Sequence, residues 1–300
     1  MRMVRVNQNI SCSSIKTLIN KSVPQIIKIF YVLIILTFYS CNLFTNHSEV
    51  DINYKHEMRD FIQELSIYSK NRNSNFIIIP QNGVELLTHN EKEEGSLNSE
   101  YIKTIDGIGQ EDLYYGYNND DQATPSATTN YIKQFLDIAN TNQMKILVTD
   151  YCSTNTYVEN SYNKNIQNGY ISFAENHREL DNIPEYPNPI LNVNNNIIDS
   201  ISDIKNFLYL INPSAFTSKQ HFIDAISATN YDLLIMDYFF NEEEFTESEL
   251  NELRSKANGG KRLLISYISI GEADDYRYYW QSDWVTRPPA WLKDGNHNWE

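Results

Sequence analysis

Carboxylates and aromatic side chains follow apolar runs at several points in this chain, and the densest case is residues 263–280, LLISYISIGEADDYRYYW. Leu263, Leu264, Ile265, Ile268 and Ile270 form an apolar, β-branched run after the turn signal Asn258-Gly259-Gly260, which predicts a strand. The run stops at Gly271, and Glu272, Asp274, Asp275, Tyr276, Arg277, Tyr278, Tyr279 and Trp280 follow at once. A buried strand that releases carboxylates and aromatics at its carboxyl end is how α/β barrels assemble active sites. Carboxylates serve as general acids and bases, so Glu272 and its acidic neighbours are first candidates for such work. The plain alternative is a core strand followed by a solvated acidic loop.

The same signature recurs upstream. Residues 76–80 (FIIIP) read as a short buried strand with Gln81-Asn82-Gly83 at its carboxyl end. Residues 105–111 read as a strand ending in Glu111, residues 145–151 as one ending in Asp150-Tyr151, and residues 169–174 as one leading into Glu175. Residues 207–211 and 233–237 are two more, the latter ending in Asp237-Tyr238. Helical periodicity lies between most of these. Tyr54, Met58, Phe61, Ile62, Leu65 and Tyr68 share one predicted face, and Ile132, Phe135, Leu136 and Ala139 another. Ser218 is placed to cap a helix carrying Phe222, Ile223 and Ile226. Thr246 and Glu249 form a capping box for a helix through Leu250 and Leu253, closed by Gly259. Residues 181–200, rich in Asn and Pro, resist regular structure and read as a connector.

Seven strands alternating with helices, with near-continuous apolar runs, predict an α/β chain with a parallel sheet covered on both faces. An eight-stranded (β/α) barrel and a doubly wound sheet both fit that pattern. No Gly-rich phosphate loop follows any strand, which argues against a nucleotide site. His177 and His221 lack metal-ligand spacing, so no metal and no other cofactor is expected.

Charge is divided unevenly along the 300 residues. Residues 1–41 hold Arg2, Arg5, Lys16, Lys21 and Lys28 and no acid, which leaves 19 of the 24 basic residues against all 39 acidic ones. Such a body repels nucleic acid and anionic membranes and attracts cationic ligands. The basic start runs into an apolar stretch over residues 26–39 that is short for a spanning helix and has the pattern of a secretory signal. Cys41, directly after Ser40, is the expected lipidation site of an exported lipoprotein, periplasmic or at the cell surface, tethered to the membrane through its lipid anchor. Residues 42–53 read as the tether. After processing, Cys152 would remain without a disulfide partner.

Several of these residues together resemble a known family. The run 267–273 (YISIGEA), then Asp275-Tyr276-Arg277, Tyr279-Trp280, Trp284 and Pro289-Ala290-Trp291-Leu292, is similar to the endo-α-1,4-polygalactosaminidases of glycoside hydrolase family 114. Residues 233–238 resemble the strand that precedes this motif. Ile78-Ile79-Pro80-Gln81-Asn82-Gly83, residues 110–115, Val148-Thr149-Asp150-Tyr151, residues 169–175 and Arg178-Glu179-Leu180 resemble strands of the family's carboxyl half. That half comes first here, so the resemblance implies a circularly permuted, TIM-like (β/α)8 barrel. Its carboxyl half would be residues 54–180, its connector 181–206 and its amino half 207–300. The family's next strand, with its catalytic Asp in a Leu-Asp-x-x-Asp pattern, has no counterpart up to Glu300. The barrel is therefore expected to be incomplete, with about seven strands, in a truncated chain.

The resemblance implies an endo-acting hydrolase that cleaves an amino-sugar exopolysaccharide with two carboxylates. It makes Glu111 the resident catalytic residue, expected as general acid, and shifts Glu272 towards orienting or binding substrate. Asp150 and Asp237 are the expected partners for sugar hydroxyls or an amine. Gln81 and Asn82 offer both donors and acceptors for hydroxyls. Tyr151, Tyr238, Tyr267, Tyr276 and Trp280, with Arg277, complete the expected substrate-binding set. The acidic balance suits a polymer that carries ammonium groups. The contrasting expectation is a polysaccharide-binding surface lipoprotein, or an inactive fragment, that cleaves nothing.

Overall fold

The computed structural model describes residues 3–6, 53–275, 277 and 279–295. In chain order the elements begin with β1 (Met3–Val6), α1 (Tyr54–Lys70), α2 (Ser99–Thr104), β2 (Gly107–Glu111), α3 (Ser126–Thr141), β3 (Lys145–Tyr151), α4 (Asn155–Gln167) and β4 (Ile171–Glu175). They continue with β5 (Phe207–Leu210), α5 (Lys219–Ser227), β6 (Leu233–Asp237), β7 (Phe239–Phe240), β8 (Glu243–Glu244), α6 (Glu247–Leu253), β9 (Leu263–Tyr267), β10 (Glu272–Asp274) and β11 (Leu292–Gly295).

The parallel strands form two three-stranded sheets, β2-β3-β4 and β5-β6-β9. Among the described residues no ladder closes them, which corrects the expected (β/α)8 barrel. The reason is local at each place where closure would be needed. The apolar run 76–80 meets the start of β2 irregularly: Asp106 N donates to Ile78 O at 2.8 Å and Gly109 N to Pro80 O at 2.9 Å, but Ile78 N goes to the Asp106 side chain at 2.7 Å, Pro80 has no N–H, and a single parallel bridge joins Gln81 to Gly109. Between β4 and β5 the contact is made by side chains, with the Phe173 and Phe207 rings 5.5 Å apart. A separate antiparallel sheet of order β10-β1-β11 and the β7-β8 hairpin complete the strands.

Packing nonetheless joins the two parallel sheets. Leu147, Tyr151 and Phe173 from β3 and β4 share one buried cluster with Phe207, Leu208, Tyr209, Leu233, Leu234 and Met236 from β5 and β6. Continuous apolar strands buried on both faces give this arrangement, because the opposite face of β2–β4 lies under α3 and α4 in a second cluster.

Two helices depart from their expected outlines. In α1 the buried positions are Arg59, Ile62 and Ser66, while Tyr54, Met58, Leu65 and Tyr68 are exposed. Arg59 turns the helix to that face because its guanidinium finds acceptors there: the carbonyls of Leu86 at 2.9 Å and Thr88 at 2.7 Å, and Glu91 at 3.0 Å. The capping box of α6 forms as expected, but the helix ends at Leu253, well before Gly259. There Arg262, almost fully buried, donates to the carbonyls of Ile226, Thr229 and Ser255, satisfying acceptors that the ends of α5 and α6 leave open. The strand expected to reach Ile270 stops at Tyr267, leaving Ile268 and Ile270 exposed.

The connector carries no strand and only the 3₁₀ turn Ile201–Asp203. It is held by a buried ion pair between Asp232 and Lys256, both side chains at 0% exposure and 2.8 Å apart. Asp232 also accepts from Asn194 Nδ2 at 3.0 Å and Lys205 N at 2.8 Å, so Lys256 and two connector residues converge on one carboxylate. Removing one partner of such a pair leaves an uncompensated buried charge. Lys256→Met is expected to lower unfolding stability by about 3–5 kcal/mol in urea titrations, and the Lys256→Met/Asp232→Asn double variant to lose less than the two single losses combined. A Lys256→Met chain as stable as the parent would refute the ion pair's role.

Candidate functional site

The strand ends bring one cluster together around Glu111, the last residue of β2. Its position follows from Asn82, which sits at φ 60, a left-handed conformation that Asn adopts more readily than most residues. In that turn the Asn82 backbone N donates to Gly109 O at 2.7 Å, and its side-chain Oδ1 accepts from Glu111 N at 3.0 Å and Gln110 Nε2 at 3.2 Å. Its Nδ2 then donates to Glu111 Oε2 at 3.1 Å. The other carboxylate oxygen, Oε1, accepts from the Tyr151 hydroxyl at 2.5 Å. Glu111 is thus half-buried with both oxygens engaged by donors from two different strand ends.

Tyr151 is 2% exposed. Burial, and then the neighbouring Glu111, push its phenol far above the ordinary tyrosine range, so it keeps its proton and stays a donor. The Arg178 guanidinium lies over its ring, 4.0 Å from the centroid. Arg178 is fixed in turn by Asp112 Oδ1 at 3.0 Å, Asp120 Oδ1 at 2.8 Å and Gly116 O at 2.7 Å. The loop can approach this closely because Gly116 has φ +115 and no side chain. A Cβ there would lie 2.2 Å from Asp112 Oδ1 and 3.1 Å from Tyr151 Cβ. Tyr209 of β5 brings the second sheet to the same place. Burial first, then Glu111 and Tyr267, raise its phenol, and its ring lies 6.4 Å from that of Tyr267 on β9.

Of the expected site residues, Asn82, Glu111, Tyr151 and Tyr267 therefore converge, and Gln81 joins them through its bridge to Gly109. Asp150 does not. It is fully buried against α4, accepting from Ser161 Oγ at 2.6 Å and from the Tyr114 and Tyr115 amides at 2.8 and 3.2 Å. The structure gives it the job of anchoring the loop after β2, out of reach of a ligand. Asp237 is held in a two-pronged pair with Arg277, whose Nη1 lies 2.9 Å from Oδ1 and whose Nη2 contacts Oδ2. Arg277 thus pairs with a carboxylate 40 positions away in sequence. Tyr238 is exposed and set edge-on to Phe239. Glu272 accepts from Ser269 Oγ at 3.4 Å. Trp280 packs edge to face on Trp284, which packs likewise on Trp291. Tyr276 and Cys41 lie outside the described residues.

Sequence inspection passed over Gln110, Asp112, Arg178 and Tyr209 as site residues. Asp112 carries a local signal, since it follows Glu111 directly. Arg178 stands 66 positions from Asp112 in sequence, a distance closed only by the fold.

Glu175, in register with Tyr151 on the adjacent strand, is also missed. Its Oε1 accepts from the amides of Asn176 at 2.7 Å and His177 at 3.2 Å, while Oε2 is buried with no hydrogen-bond partner. Burial pushes its carboxyl up to about 8. Among the described residues no group of three or more His, Cys, Asp or Glu side chains is arranged to hold a metal ion, and no helix is long and apolar enough to cross a membrane.

No family model matches the chain. It is 41% identical over 81 residues to an uncharacterized protein of Methanocaldococcus jannaschii, a match covering 26% of this chain and 22% of the relative. It is 35% identical over 77 residues to an uncharacterized protein of Deinococcus radiodurans, covering 26% and 24%. An uncharacterized protein of Thermotoga maritima is 31% identical over 74 residues, covering 25% and 23%. The matched part is about a quarter of each relative's length.

The raised carboxyl of Glu175 ties stability to pH. The folded chain holds this proton up to about 8, whereas the unfolded chain releases it near 4.5. Its contribution is therefore complete below the lower value and is lost as pH rises through the upper one. Glu175→Gln is expected to flatten the fall in thermal stability between pH 5 and 9. The stability gap between variant and parent should change in the variant's favour by more than about 1 kcal/mol across that window. Parallel stability curves for the two proteins would refute the buried, protonated state.

Proposed function

We propose that this chain is a glycoside hydrolase of the endo-acting polygalactosaminidase type, acting on an amino-sugar exopolysaccharide outside the cell, with Cys41 as its lipid anchor. The observation that supports this most directly is Glu111 itself. A half-buried carboxylate stands at the carboxyl end of a parallel strand, its two oxygens are oriented by Asn82 and Tyr151, and Tyr209 lies close enough to feel its charge. Glycosidic cleavage needs a carboxyl group held in one orientation at the sugar ring, and aromatic side chains beside it suit the apolar face of a pyranose. The excess of acidic residues adds attraction for a partly deacetylated, cationic polymer.

One feature favours a second function, polysaccharide binding without cleavage. Among the described residues, Asp112 is paired with Arg178 and Asp237 with Arg277, and Glu175 at the end of β4 is fully buried. A binding protein needs no second free carboxylate; a hydrolase does.

Partially deacetylated galactosaminogalactan separates the two. The hydrolase is expected to release oligosaccharides, measured as new reducing ends, and Glu111→Gln to slow release by at least about 100-fold while retaining polymer binding in a pull-down. Binding by the parent chain with no release would favour the second function. Release that is unaffected by Glu111→Gln would remove Glu111 from the chemistry.

A further inference from the structure

At the carboxyl end of β3, two tyrosine rings are stacked and only one of them is buried. Tyr115, in the loop after β2, is 6% exposed, whereas Tyr157, in the first turn of α4, is 40% exposed. Their centroids lie 5.2 Å apart with 20° between the planes. A ring stacked this way on a buried neighbour has one face covered, so its exposure falls on the opposite face and the rim. An aromatic face in water is apolar surface that gains by being covered, and it suits the C–H face of a pyranose. We propose that Tyr157, backed by Tyr115, is a stacking platform for one sugar ring of the polymer, a binding position separate from Glu111 at the same end of the sheet. This rests on the function proposed above and adds a residue that holds the polymer without taking part in the chemistry.

The stack is fixed on both sides. The Tyr115 hydroxyl donates to Asn160 Oδ1 at 2.9 Å, and the Tyr115 amide donates to the buried Asp150 at 3.2 Å. Under Tyr157, Asp121 clamps the turn that starts α4. Its Oδ1 accepts from the amides of Ser153 and Thr154, both at 2.9 Å, and its Oδ2 from their hydroxyls at 3.1 and 2.7 Å. Burial opposes the charge on Asp121, but these four bonds outweigh it and hold the carboxyl below the usual range, so it stays an acceptor. Tyr157 N then donates to Thr154 O at 2.8 Å. Tyr151 joins this loop to the Glu111 cluster: its amide donates to Tyr115 O at 3.2 Å, its carbonyl accepts from Asp121 N at 3.0 Å, and its hydroxyl donates to Glu111. A ring ordered before its ligand arrives loses little freedom on binding. Tyr131 is the useful contrast. It is 38% exposed but stands at 74° to Phe135, so no parallel ring backs it.

The test uses the full chain, labelled at its tyrosine rings, and partially deacetylated galactosaminogalactan oligosaccharides. Adding them to the parent should shift the NMR signals of the Tyr157 ring, identified by their loss in Tyr157→Phe. Tyr157→Ala is expected to weaken binding, measured by calorimetry, at least about fivefold. Tyr157→Phe keeps the face and should bind within about twofold of the parent. Tyr131→Ala should bind as the parent does. In polymer cleavage, Tyr157→Ala should raise KM by a similar factor with kcat within about twofold, the mark of an interaction equal in ground and transition states. Parent affinity in folded Tyr157→Ala, or an equal loss in Tyr157→Phe or Tyr131→Ala, overturns the proposal and leaves the function of Glu111 standing. If Tyr157→Ala does not fold, Tyr157→Leu takes its place, and unmoved Tyr157 signals in the parent overturn the proposal whatever the variants do. A parent that binds through Tyr157 but cleaves nothing leaves the platform standing and refutes the hydrolase function. A parent that binds none of the oligosaccharides refutes both.

Discussion

Asp150 is buried completely, yet it accepts four hydrogen bonds, and the geometry around Glu111 follows from them. Two come from Ser161 and Asn165 on α4, and two from the Tyr114 and Tyr115 amides in the loop after β2. A carboxyl group in that setting is costly unless its lone pairs are filled, and here the filling is done by the backbone of the loop that must be positioned. Burial raises this carboxyl above the usual range, with the same four donors opposing the rise. With Tyr114 and Tyr115 pinned, Asp112 and Gly116 on either side of them have fixed places. Those two receive Arg178, and Arg178 covers Tyr151. The orientation of Glu111 is thus several steps removed from a fully buried residue.

The two parallel sheets contribute unequally to this cluster. The β2–β4 sheet supplies Glu111 and Tyr151 and, through the turn at Asn82, the amide that orients the carboxylate. The β5–β6–β9 sheet supplies Tyr209, whose hydroxyl feels the charge at Glu111, and Tyr267, whose ring lies 6.4 Å from that of Tyr209. No ladder of hydrogen bonds carries this relation across β4 and β5. Apolar contact does, with Phe173 against Phe207 and Leu147 in the same cluster as the β6 side chains. Such packing is dense and sensitive to shape, so the relative setting of the two halves depends on side-chain volume more than on backbone pairing.

Charge follows a similar division. The excess of acid over base makes a negative surface, but Asp112, Asp120 and Asp237 are matched by arginines. Asp112 and Asp120 pair with Arg178, and Asp237 with Arg277, whereas the donors to Glu111 are the neutral Asn82 and Tyr151. A neutral donor orients a carboxylate without cancelling its charge, whereas a guanidinium does both.

Much of the local structure is legible in the residues alone. The strands 145–151 and 233–237, the α6 capping box and the buried face of α3 follow from apolar periodicity and from Ser, Thr and Glu at cap positions, because those forces act between residues close in sequence. The position of Glu111 at the end of an apolar run is likewise a property of the sequence. Only the tertiary structure decides what surrounds it. Asp150 and Glu111 look alike as strand-end acids, but alternation sends Asp150 under α4 and Glu111 to the opposite face. Arg59 turns α1 away from its most apolar side because carbonyl acceptors 27 and 29 residues distant can satisfy it. The run 76–80 is a comparable case: the carbonyls of Ile78 and Pro80 accept from Asp106 N and Gly109 N, but Pro80 has no N–H and Ile78 N goes to the Asp106 side chain, so a continuous ladder lacks two donors.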